Sequence, residues 1–283
     1  MKRAVVKIRR ILWPLALVLL IGCAPQPNEE TPGCPDDTQW TFVVIGDTRS
    51  NPDIFTTHVN NILALSPTPE LVLHSGDIVS QWDLDLEWKL FHDITRPLRD
   101  QMPLYPAAGN HDVSEADPEH KIFRGELGIK GPIYYSFVHH SVLFIVLSPY
   151  EQGEEGRIGG EQLTWLKQTL AAAPTSRIVI LLHYFFPQGH YRGENVKNAE
   201  ELHQLFVQSN VDVVFTGHEH QFLFHQRDGI AYVISGGGGA PLYHEGGGDF
   251  YHFVRACCEP EQIELQVITL DRSIVARYHI PFK

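Results

Sequence analysis

Short apolar runs alternate with longer segments of helical spacing over the first part of the chain, and then the helical segments stop. Thr41–Ile45, Leu71–Leu73, Leu104–Ala107, Ile178–Leu182 and Val211–Phe215 read as buried strands. Between them, Asp53–Leu65 places Ile54, Val59, Ile62, Leu63 and Leu65 at helical spacing, with Pro52 near its start. Trp82–Leu98, Glu161–Ala173 and Ala199–Gln208 follow the same rule, and Pro97 is expected to close the first of these three. Tyr134–Val138 and Val142–Leu147, joined by His139-His140-Ser141, read as a hairpin. After Gly217 the pattern is β alone: Phe222–His225, Ile230–Ser235, Phe250–Ala256, Ile263–Thr269 and Val275–Ile280. Strand–helix alternation with an all-β return predicts an α/β fold, a four-layer αββα sandwich of two mixed sheets with helices outside. The Gly236–Gly239 run is expected to be a tight loop lying close to a functional site.

The N-terminus departs from this pattern. Lys2, Arg3, Lys7, Arg9 and Arg10 precede the apolar stretch Ile11–Ile21, which is short for a bilayer span. Leu20-Ile21-Gly22-Cys23 resembles a bacterial lipobox, implying cleavage before Cys23 and lipidation of its thiol. Residues 24–39 are rich in Pro, Glu, Asp and Thr without apolar periodicity. The expected organisation is therefore a signal peptide (1–22), a flexible tether (23–39) and one domain (40–283) on the outer side of a bacterial membrane. Membrane contact is expected through the lipid alone.

Removing residues 1–22 takes away five of the 22 basic residues and none of the 34 acidic ones, leaving a formal charge of −17. Such a surface repels polyphosphate chains, so no nucleic-acid partner is expected. With Cys23 assigned to lipid, Cys34, Cys257 and Cys258 remain. One disulfide from Cys34 to either member of the adjacent pair, or three free thiols, are equally compatible with this pattern.

Five polar clusters stand at the ends of strand-like runs. They are Asp47 in Gly46-Asp47-Thr48-Arg49, Asp77 in Gly76-Asp77-Ile78-Val79, Asn110-His111-Asp112, His183, and His218-Glu219-His220. Oxygen and imidazole donors repeated at strand ends suit a pair of divalent ions such as Mn, Fe or Zn. His218 and His220 alternate, so both side chains leave the same side of an extended segment. Singly, each cluster has an ordinary reading: Asp47 a cap or turn residue, Asp77 a loop carboxylate, Asn110 a turn residue, His183 a core histidine. Jointly those readings fail.

In this order the clusters resemble the calcineurin-like metallophosphoesterase superfamily, including the distantly similar purple acid phosphatases, over roughly residues 40–280. The resemblance implies the same sandwich fold and a first ion held by Asp47, Asp77 and His220. It implies a second held by Asp77, Asn110, His183 and His218, with Asp77 bridging. It also implies that a hydroxide formed on the ions attacks phosphorus while Asn110 and His111 contact substrate. His111 would protonate the leaving group, its ring held by Asp112.

Two positions depart from the family pattern. Arg49 stands where many members carry a histidine ligand, and Ser80 where the purple acid phosphatases carry a tyrosine. Arg49 is expected to bind a substrate phosphate oxygen, or to be neutralised by a carboxylate such as Asp53 or Glu245. Ser148 stands where an aspartate is common. The expected activity is hydrolysis of a phosphorylated small molecule, a monoester first and a diester or nucleotide as the alternative. A non-catalytic binding lipoprotein is the rival from another class, and His111-Asp112 speaks against it. His139 and His140 are expected as turn residues, and His58, His92, His203 and His252 as surface or packing residues. His190, Tyr191 and Arg192 are candidates for substrate contact.

Overall fold

The computed structural model describes residues 33–184, 195–244 and 248–283. Residues 1–32, with Cys23, lie outside them, as do His190, Tyr191, Arg192 and Glu245. In chain order the first half runs β1 (Trp40–Ile45), α1 (Pro52–Leu63), β2 (Leu71–His74), α2 (Asp85–Arg99), β3 (Leu104–Pro106) and α3 (Lys121–Leu127). Then come β4 (Tyr135–His139), β5 (Val142–Val146), α4 (Gly160–Ala171), β6 (Arg177–Leu181), α5 (Ala199–Gln208) and β7 (Val213–Thr216). The chain finishes with β8 (Phe222–Arg227), β9 (Ile230–Ser235), β10 (His252–Cys258), β11 (Gln262–Thr269) and β12 (Ile274–Pro281).

These strands form two mixed six-stranded sheets, ordered β12-β11-β10-β1-β2-β3 and β4-β5-β6-β7-β9-β8. Strands β1, β2 and β3 are parallel, and so are β5, β6, β7 and β9. Alternation along β1 explains the layering. Phe42 and Val44 meet Phe144, Val146, Phe215 and Val233 between the sheets, while Val43 and Ile45 face Phe55, Val59, Trp88 and Phe91 of α1 and α2. On the second sheet Leu143, Ile145, Ile178 and Ile180 pack outward on Leu166, Leu170, Leu202 and Phe206 of α4 and α5. Both faces of the central strands are buried, which is why they read as continuous apolar runs.

Helix α2 differs from expectation: Pro97 lies inside it, and the helix continues to Arg99. Pro97 and Asp93, whose carbonyl loses its helical N–H partner, are both on the exposed face, open to water. Helix α3 was not foreseen, because it is short, contains Gly125 and buries only Phe123. Residues 33–39, expected to be part of a flexible tether, are bonded to the folded domain. Gln39 N donates to Cys258 O at 2.8 Å, Gln266 Nε2 donates to Gly33 O at 2.7 Å, and Cys34 is bonded to Cys257. Residues 33–39 are thus fastened along β10 and β11, and Cys258 is a free, buried thiol.

Candidate metal centre

The parallel arrangement brings the C-terminal ends of β1, β2, β3, β6 and β7 to one edge of the sandwich, and each predicted cluster follows one of those ends. Crevices at such ends are the usual ligand sites of α/β folds. Bonds between loops from different strands hold the edge together. His218 N donates to Asp47 Oδ1 and Oδ2 at 3.1 and 3.0 Å, His183 Nδ1 to Ser75 O at 2.8 Å, and His111 N to Asp77 Oδ1 at 3.1 Å. Asp47, Asp77 and His218 all have positive φ (56°, 57° and 68°), a conformation that costs a non-glycine residue about 1 kcal/mol or more. Three such residues, each carrying a predicted donor, mark strain collected at a functional site. Close backbone approach demands glycine beside them: a Cβ on Gly109 would sit 2.2 Å from Asp77 N.

His183, Asn110, His218 and one oxygen of Asp77 converge. With its Nδ1–H given to Ser75, His183 keeps a lone pair on Nε2, and burial lowers its pKa to about 4, so the ring is neutral at pH 7. That lone pair lies 3.1 Å from Asn110 Oδ1, 3.3 Å from Asp77 Oδ1 and 3.2 Å from His218 Nδ1. At most one proton, on His218 Nδ1, lies among these four donor atoms, and a cation suits such a set. The carbonyl behind His183 fixes the tautomer in the way metal-bound histidines require.

The other half contains Asp47, His220 and Asp77 Oδ2. His220 donates Nδ1–H to Pro241 O at 2.7 Å and stacks on Tyr243, with ring centroids 4.4 Å apart. Burial lowers its pKa to about 4, and its Nε2 faces Asp47 Oδ1 at 3.6 Å. Burial and the nearby Asp77 push the Asp47 carboxyl up. Burial pushes Asp77 the same way, but His183, His111 and Arg49 outweigh it and hold Asp77 low. Into this half reaches Arg49, with Nε 3.0 Å from Asp77 Oδ2 and Nη2 3.3 Å from His220 Nε2. The carboxylate that neutralises Arg49 is therefore Asp77. Asp77 straddles the site, one oxygen toward each half.

Asp112 does not hold the His111 ring. Its oxygens accept from Ile78 N, Val79 N and Gly109 N at 2.8, 3.1 and 2.8 Å, tying the β2 and β3 loops together. Burial and Asp77 push its carboxyl to about 7. The His111 ring is oriented by Ser80 O, 2.9 Å from Nδ1, so that Nε2 is the ring nitrogen outside that bond. His111 is half-buried and Asn110 exposed, so both face solvent at the mouth. At the end of β5, Ser148 is held by Gln162, which accepts from its N–H and donates to its carbonyl.

Sequence reasoning missed His74. It is fully buried, accepts from Gly76 N at 3.2 Å through Nδ1, and lies 3.0 Å from Thr48 Oγ1 through Nε2. It thereby fixes the loops of Asp47 and Asp77 against each other. The missed signal was its place at the end of a strand one loop before Asp77. His139 and His140 do more than turn: each Nε2 lies against Glu70 Oε2, at 2.8 and 3.0 Å. The glycine run packs as expected, with Gly238 N donating to Gly46 O at 3.0 Å.

Comparison with known proteins gives the family of the chain. The family model described as "Calcineurin-like phosphoesterase" matches residues 41–222, and the chain belongs to that family. A probable purple acid phosphatase 20 of Arabidopsis thaliana is 28% identical over 177 residues, 51% of this chain and 41% of the relative. An Fe(3+)-Zn(2+) purple acid phosphatase 12 of the same plant is 29% identical over 240 residues, 74% of this chain and 48% of the relative. The chain spans about half the length of these curated relatives. The solved purple acid phosphatase PPD1 of yellow lupin superposes with a TM-score of 0.68 at 17% identity, covering 86% of this chain and 53% of the other, a likeness of fold.

Proposed function

We propose that this member of the calcineurin-like phosphoesterase family hydrolyses phosphate esters of small molecules, monoesters by preference, with two divalent ions. The observation that supports it best is the donor set around Asp77. Neutral, carbonyl-oriented imidazoles on both sides aim lone pairs at carboxylate oxygens, and a cation on each side balances them. Ions bound there would supply a water-derived nucleophile near neutral pH and offset the charge on phosphorus.

The chain's own residues do the rest. Asp77 serves both halves with its two oxygens. Asn110 adds a neutral oxygen, which limits the negative charge gathered opposite an anionic substrate. His111, pinned through Nδ1 to Ser80 O, presents Nε2 to the departing alcohol, and a proton delivered there is worth typically ~10²–10⁴-fold in rate. Asp112 positions the two loops that carry Asp77 and Asn110.

Location outside the cytoplasm, with the chain anchored through lipid on Cys23, is part of the same proposal. The Cys34–Cys257 bond supports it, since disulfides persist in oxidising compartments. Cys23→Ser should block lipidation and leave unprocessed precursor in the membrane; a mature, lipid-free protein of unchanged length from the wild-type gene would remove the anchor.

The deciding assay uses the purified full chain against an aryl phosphate and a bis-aryl phosphate, with Mn, Zn or Fe supplied. Hydrolysis of the monoester, lost on chelation and restored by metal, is the expected result. No hydrolysis of either ester with any metal would end the reading.

A further inference from the structure

The two halves of the centre differ in one respect that no ligand pattern predicts: one of them already holds a cation of the chain. Arg49 Nε lies 3.0 Å from Asp77 Oδ2 and its Nη2 lies 3.3 Å from His220 Nε2. Those are two of the three donors assigned to the first ion. The third, Asp47 Oδ1, is 3.6 Å from the same His220 nitrogen. Among the described residues, His183 Nε2 meets Asn110 Oδ1, Asp77 Oδ1 and His218 Nδ1 directly, and no guanidinium or ammonium.

A lone pair serves one partner at a time. The Nε2 lone pair of His220 is its only free one, because Nδ1 is committed to Pro241 O. If it accepts from Arg49, it cannot bind an ion, and the reverse holds. A guanidinium also keeps its charge at every working pH, so it cannot yield by losing a proton. Its side chain is only 15% exposed and Asp77's 2%, so the pair is held away from the water that would weaken it.

We infer that Arg49 is a built-in competitor for the first ion, so that the half containing His183 loads tightly and the half containing His220 loads only at higher metal concentration. Ser80 sharpens the effect. Its hydroxyl lies 3.5 Å from that of Ser50, and it brings no strong donor to offset the competition. The centre would then respond to metal supply, holding one ion when metal is scarce and two when it is plentiful.

This rests on the two-ion reading above, and the test separates them. The metal-stripped full chain is titrated with Mn²⁺ by calorimetry, with elemental analysis after desalting as a second readout. Two classes of site are expected in the wild type, with one ion surviving desalting. In Arg49→Ala the weaker class should tighten by roughly tenfold, the order expected when a partly buried ion pair need no longer be broken. Arg49→His should tighten it further and carry two ions through desalting. Arg49→Gln, which keeps the length without the charge, guards against a folding defect and should behave as Arg49→Ala. An unchanged weaker class in the Ala and Gln variants, with two ions bound in each, would overturn the competitor alone. A single ion in the wild type and every variant at saturating metal would overturn the two-ion reading and the competitor with it.

Discussion

The two halves of the centre are built from the same strand ends and share Asp77, yet they solve the same electrostatic problem differently. Around His183 the donors face one another with almost no protons between them, while around His220 an arginine of the chain supplies the positive charge. The scaffold is common to both, including a carbonyl behind each imidazole, Ser75 for one and Pro241 for the other. Among the described residues, one side chain, Arg49, makes the difference. A ligand set and its readiness to bind are therefore separate properties, and only the first is a matter of matching residues.

Removing what the halves share should give the largest effect. Asp77→Asn should release metal from both and lower kcat/KM by more than the ~100-fold typical of losing an outer partner. Elemental analysis showing two retained ions with normal turnover would remove the bridge. His111→Ala separates chemistry from binding. Metal content should stay, while kcat should fall by about 10² for poor leaving groups and much less for activated aryl phosphates. Equal losses on both kinds of ester would refute proton donation.

Unequal damage to the halves is the sharper test. His183→Ala should abolish the tight calorimetric class and His220→Ala only the weak one; identical titrations for the two variants would erase the asymmetry. Acid release of metal must also be told apart from acid unfolding. His58 and His252 are buried away from the ligands, and burial lowers their pKa values to about 3 and about 4 from 6.5. Both stay neutral in the fold and gain protons in the unfolded chain, so their contribution is complete above about pH 6.5 and is lost as pH falls toward 4. From pH 7 to pH 5 the metal-free protein should lose about 2 kcal/mol per histidine. Chemical denaturation at the two pH values measures it, and His252→Gln should reduce the slope; an unaltered slope would exclude this origin.

Much of this was legible along the chain. The apolar runs gave the strands, and the donor clusters could be seen to stand at their ends. Helix α3 was not legible, because one buried phenylalanine leaves no periodicity to detect. Nor was the continuation of α2 through Pro97, since only the position of the solvent face shows that the missing N–H costs little. The ordering of 33–39 escaped as well, because its composition is that of a tether and its fastening comes from bonds to distant strands.

Sequence alone determined which atoms can serve as donors and at which strand ends they stand, because residue type and period are local properties. Tertiary structure decided the partners, which depend on distance in space. Cys257 and Cys258 are neighbours in sequence, but successive strand residues face opposite sides. Cys258 points into the core between the sheets, and Cys257 meets Cys34 on the other face. By the same reasoning Asp112 turned from a neighbouring imidazole to three backbone N–H groups, which offered a buried carboxylate more hydrogen bonds than one ring could. Arg49 found Asp77 because the loops after β1 and β2 are adjacent in the sheet, a consequence of parallel pairing that reading along the chain does not reveal.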